Sequence, residues 1–149
     1  MTAPGDAAPS ALAEQLVMDH ARPVVVVLLR DMRMRDQAEQ LAAAPSLTAL
    51  RFAAAGISHD VRRRVRFAPL RRAAAGAVTA LHSAALLGLH SDPDSVAVMA
   101  LGTFTHAARA QAWRRRWWQL LRWKTVRARV MAEARAEQLV YFGNKPDSI

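Results

Sequence analysis

The chain has 149 residues, 52% of them hydrophobic, and its 21 Lys and Arg against 12 Asp and Glu give a formal net charge of +9. That length suits one domain, with or without tails, and the apolar content excludes a disordered basic tail. With no cysteine, a disulfide framework, a thiolate metal site and a cysteine nucleophile are excluded, and 6 Gly with 7 Pro argue against a turn-rich all-β chain.

Residues 1–9, MTAPGDAAP, read as a flexible leader. They carry no basic n-region and no long apolar run, so they do not form a secretory signal. Asp6, Glu14 and Asp19 all precede the first arginine, which is a poor pattern for an organellar presequence. The region 10–60 reads as short helices. Ser10 is placed to cap a helix through about residue 21, with Leu12, Leu16 and Val17 on one face. Pro23 closes that helix and opens the next. The run VVVVLL (24–29) has the β-branched residues of a strand, but no second strand candidate exists to pair with it, so a helix to about residue 44 is the better reading. Ser46 should cap a short helix over 47–55 that stops at Gly56.

A basic segment follows, VRRRVRFAPLRR (61–72), and Pro69 opens a helix over 70–90. The loop HSDPDS (90–95) leads to Pro93, with Asp94 in the first turn where the helix dipole favours an acid. From there one helix runs to about residue 142, with Gly102 as a candidate break and Gly143 and Asn144 as the stop. The polar tail is 144–149. The second basic segment, WRRRWWQLLRWKTVRAR (113–129), lies in this last helix and would form a Trp/Arg-rich amphipathic element over 113–143.

Charge is unevenly placed. Residues 1–60 hold five Arg against seven acids, while 61–149 hold sixteen Lys and Arg against five acids. Between the two basic segments, 73–112 carries one Arg and two Asp. Its uncharged stretches, 73–89 and 95–108, approach the length of a membrane span and are rich in the small residues that packed membrane helices use. The far ends of the pair are cationic, the loop is acidic, and four Trp (113, 117, 118, 123) fall in the second basic flank. Together these predict an all-α chain with a two-helix membrane hairpin over about 70–112, its basic flanks on the matrix or cytoplasmic side of an organellar or bacterial inner membrane. A buried hairpin in a helical core accounts for the same stretches without lipid.

The candidate binding residues for acidic phospholipid or an acidic partner are Arg62, Arg63, Arg64, Arg71, Arg72, Trp113, Arg114, Arg115, Arg116, Trp117, Trp118, Arg122, Trp123 and Lys124. The same residue types suit nucleic acid, where Arg neutralises phosphate and Trp stacks on bases. A straight helical wheel groups Trp113, Trp117, Leu120, Leu121, Ala128 and Met131 on one face and turns Trp118 and Trp123 away. His82 and His106 sit at similar depths on the two facing helices and are weak haem candidates; hydrogen bonding to neighbouring helices is the plainer role. No nucleophile-elbow, zincin, phosphate-loop or dinucleotide motif occurs, so no enzyme and no cofactor are expected. The resulting expectation is a non-catalytic accessory subunit in a hetero-oligomeric inner-membrane complex, energy-transducing by class prior, whose partners are membrane subunits and acidic lipid. The alternative is a basic helical nucleic-acid-binding protein, and the third reading is a phage-type pore-forming hairpin protein.

Overall fold

The computed structural model describes residues 11–90 and 93–143. The expected leader, the Ser10 cap, the acidic loop position Asp92 and the tail lie outside the described residues. Among those described, every regular element is helical. They are α1 (Ala11–Gln15), a π turn (Leu16–Ala21), α2 (Arg22–Asp31), α3 (Arg35–Ala43), α4 (Leu47–Arg64), α5 (Ala68–Gly88), α6 (Pro93–Arg116), a 3₁₀ segment (Trp117–Arg122) and α7 (Trp123–Gly143).

The first helix does not end at Pro23. A proline lacks an N–H, and its ring crowds the carbonyl four residues back. The π turn just ahead of it widens the spiral, and the Arg22 N–H bonds back five residues to Val17 O. The helix therefore passes through Pro23, and VVVVLL is helical, with Val25, Val26, Leu28 and Leu29 buried. The break comes at 32–34 instead, where Arg33 takes a left-handed backbone (φ 62°). Arg22 then ties the segments together, donating to Met18 O on its own helix and to Ala42 O and Ala44 O at the end of α3. Ser46 caps α4 as expected, its hydroxyl accepting from the Ala49 N–H. Gly56 does not stop that helix. It is exposed, with nothing near the position of an added Cβ, so glycine there costs only propensity and α4 continues to Arg64.

α5 and α6 form the expected antiparallel pair and are the centre of the bundle. Their seam is built from small residues. A Cβ on Gly102 would lie 3.9 Å from that of Ala80, and one on Gly76 would lie 2.8 Å from His106 Nδ1. α4 packs along α5, joined by a 3.2 Å hydrogen bond between Ser58 and Thr79. α2 and the π turn also touch both central helices. α7 lays a narrow stripe, Val126, Val130 and Ala134, into the core. The hairpin is thus sheathed by helices of the same chain, and Val78, Leu81 and Val96 are fully buried. Among the described residues, no helix is long and apolar enough to cross a membrane. The membrane-spanning role expected for 70–112 is therefore not matched by its helices.

The expected single helix from Pro93 to 142 is broken, but not at Gly102. Gly102 lies within α6, and the break falls at 117–122, where Gln119 leaves helical geometry (φ −92°, ψ 31°).

A left-handed backbone costs a residue with a Cβ roughly 1–2 kcal/mol. Replacing exposed Arg33 with glycine should therefore raise stability by about 0.5–1 kcal/mol after glycine's own entropy loss. Urea unfolding of Arg33→Gly against the native chain checks this.

Candidate functional site

The basic residues reach the surface by different routes. Arg62, Arg63 and Arg64 close the last turn of α4, where cations complement the helix dipole. Arg71 and Arg72 stand in the first turns of α5. There Arg71 bonds to Val65 O and Arg66 O in the link that follows α4, and Arg72 bonds to Ala68 O. Arg63 also pairs with Asp60 one turn back, at 3.8 Å, whereas no carboxylate pairs with Arg62, Arg71 or Arg72 among the described residues.

Two clefts run along one side of the α5–α6 seam. The first, of about 580 Å³, is rimmed by Arg62, Arg71 and Arg72 over a floor that includes Ala75, Gly76 and Ala80. The second, of about 430 Å³, lies between the seam and α7, with Arg109, Arg127, Trp113 and Trp123 in its walls. Arg72 and His106 line both, so the two clefts adjoin there. No Asp or Glu lines either cleft. Among the described residues the ion pairs are Arg30–Glu39, Arg63–Asp60, Arg115–Glu133 and Arg116–Glu133, none of which involves a cleft arginine.

The break after α6 decides where the tryptophans go. Glu133 on α7 reaches back to Arg116 at 2.6 Å and to Arg115 at 3.8 Å, holding the corner closed. Trp123 then stacks on Trp113, ring centroids 5.3 Å apart and planes at 23°, and Phe67 meets Trp113 edge-on at 5.7 Å. The straight wheel separates Trp113 from Trp123; the bend brings them together. Trp113 is buried, while Trp117 and Trp118 are 54% and 65% exposed on the corner itself. Arg114, Arg115, Arg116, Arg122 and Lys124 share that corner in sequence. The side chains of Leu120 and Leu121, placed on the same wheel face, lie outside the described residues.

His82 and His106 are not brought together. Gly76 lies opposite His106, and Ala80 opposite Gly102, so His82 is displaced from His106 by six residues of register, about 9 Å along the helix. Only His106 lines a cleft. Its Nδ1 is sealed from solvent without a hydrogen-bond partner, as is Nε of Arg109 one turn along α6. Among the described residues no group of three or more His, Asp or Glu could hold a metal ion. In the sequence Arg109 is the single Arg of 73–112, and the candidate binding residues include neither it nor Gly76 nor Arg127. The visible signal was spacing: Arg109 follows His106 by three residues and Arg127 follows Trp123 by four, both same-face intervals.

No family model matches the chain, and no curated protein or solved structure shows significant similarity to it. The reading of the site rests on its chemistry: a concave, carboxylate-free, arginine-rimmed surface ending in stacked tryptophans.

Burial, and secondarily the Arg109 guanidinium, lower the His106 pKa from its ordinary 6.5. Its contribution to stability is whole above that pH and is lost as pH falls below it, because the unfolded chain takes up the proton first. Arg109→Gln should raise the His106 pKa without restoring it fully, since burial remains. Imidazole proton shifts followed by NMR through a pH titration check the direction.

Proposed function

We propose that the chain is a non-catalytic binding protein for single-stranded nucleic acid. The observation that carries this reading is the adjoining pair of clefts, lined by five arginines that no carboxylate pairs with among the described residues. Guanidinium groups bind phosphate bidentately and release its counterions. At one end Trp123, 41% exposed and backed by buried Trp113, supplies a surface on which an unstacked base can lie, worth about 1–3 kcal/mol per base. A duplex keeps its bases stacked inside and cannot use such a wall. Along α5 the clefts extend from Ser83 to Pro69, about 21 Å of helix, which suits a short run of strand.

The test is affinity against salt. An oligonucleotide of about 12 residues should bind with a Kd that rises steeply with salt, each phosphate contact adding about 0.7 to the log–log slope. Replacing Arg72 and Arg127 with Gln should lower that slope by roughly one to two contacts while leaving the helical circular dichroism unchanged. Salt-insensitive or absent binding in the native chain would sink the reading.

A second reading has its own observation. Trp117 and Trp118 stand exposed side by side among cationic neighbours, as residues that seat a protein at the headgroup level of acidic phospholipid do. On that reading the chain is an accessory subunit docked on the matrix or cytoplasmic face of an inner-membrane assembly. Trp117→Ser with Trp118→Ser should then abolish sedimentation with phosphatidylserine vesicles. If the double variant sediments as the native chain does, the corner is not a lipid anchor.

A further inference from the structure

We propose that the place where the two clefts adjoin, lined by Arg72 and His106 with Arg109 in the second cleft beside them, is a receptor for a phosphomonoester, either the terminal phosphate of a nucleic-acid strand or a free mononucleotide. The inference rests on the nucleic-acid reading for its macromolecular ligand, but the site itself stands on separate observations.

The first is charge density. Arg72 lines both clefts, Arg71 stands beside it in the first, and Arg109 and Arg127 face the second from different helices. A phosphodiester passing through a groove carries one negative charge and two free oxygens. A phosphomonoester carries close to two charges and three strong acceptor oxygens. Guanidinium groups from three helices lining two adjoining clefts, with no carboxylate among the lining residues, match the second better than the first.

The second is an unmet donor. Nε of Arg109 always carries its proton, yet it is buried without an acceptor. Buried polar groups lacking any partner are uncommon, and the Arg109 side chain that carries this one lines the second cleft, where its accessible part can meet an anion. His106 adds a polar group without adding charge, because burial and Arg109 hold its imidazole neutral over a wider range than usual.

The third is the floor. A Cβ on Gly76 would lie 2.8 Å from Nδ1 and 3.0 Å from Cγ of His106, so only glycine lets the ring rest against α5. The small residues Ala75 and Ala73 line the first and second cleft beside it. From the junction the second cleft leads to Trp123, which is 41% exposed and placed to meet a nucleoside attached to the phosphate.

The experiment is isothermal calorimetry on the full chain with oligodeoxythymidylates of about 12 residues bearing a 5′-phosphate, a 3′-phosphate or neither, and with thymidine 5′-monophosphate alone. One phosphorylated strand should bind about tenfold more tightly than the hydroxyl-ended strand, and the mononucleotide should compete for that gain. Arg72→Gln, at an exposed side chain that leaves the fold undisturbed, and Arg109→Gln should each reduce the preference to near unity. Equal affinity for all three strands would overturn the phosphomonoester site and leave the nucleic-acid reading standing. Tight mononucleotide binding with no strand binding would retain the site and remove that reading. A preference that survives both substitutions would also overturn the assignment.

Discussion

Across the α5–α6 seam, Ala80 and Gly102 leave room for a single methyl group, and Gly76 leaves none beneath the His106 ring. This close approach of two backbones is the constraint from which the rest of the bundle follows. Small residues lose little side-chain entropy on burial, but they bury little area each, so a pair of alanine-rich helices must be covered on several sides to be stable. α4, α2 with its π turn, and α7 provide that cover, and the larger core side chains come largely from them: Leu28, Leu29, Leu50, Ile57 and Val130 are all fully buried. The seam also sets register. By holding residue 76 against 106, it puts the arginines of the start of α5 beside those of the end of α6.

The fold gathers positive charge and offsets it sparingly. Arg22, Arg71 and Arg72 give their hydrogen bonds to main-chain carbonyls, and the arginines ending α4 sit at the favourable pole of its dipole. Apart from the Arg63–Asp60 pair, these arrangements satisfy donors but do not neutralise charge. Self-repulsion among the cations remains as a standing cost on the compact state. Glu133, one of few acids in the second part of the chain, is used on the corner with Arg115 and Arg116 and not in the clefts. An anion bound between α5, α6 and α7 would relieve that repulsion, so binding and stability are coupled on this face.

The bend at 117–122 has a structural and a chemical consequence. It folds α7 back so that its Val126–Val130–Ala134 stripe reaches the core. It also brings Trp123 onto Trp113, closing the second cleft with an aromatic wall while leaving Trp117 and Trp118 outside. The same short segment thus separates the chain's tryptophans into a concave set and a convex set, and these suit different partners.

Read alone, the residue pattern was sufficient for the all-helical class, the Ser46 cap, the antiparallel pairing of the two uncharged stretches and the clustering of arginine at their far ends, and it favoured helix over strand for VVVVLL without deciding it. All of these follow from local spacing, capping chemistry or counts of charge. Four features were decided only in three dimensions. Pro23 is tolerated because a π turn opens ahead of it, Gly56 is tolerated because its face meets nothing, and the helix breaks instead at Arg33 and Gln119. The hairpin's apolar faces meet helices of the same chain, and a hydropathy pattern does not distinguish one apolar neighbour from another. His106 aligns with Gly76 and not with His82, because register depends on which small residues interlock. Arg109 and Arg127 become one site because a bend, not a wheel, puts α7 across α6. Local periodicity specifies which side of a helix avoids water; only packing specifies what that side touches.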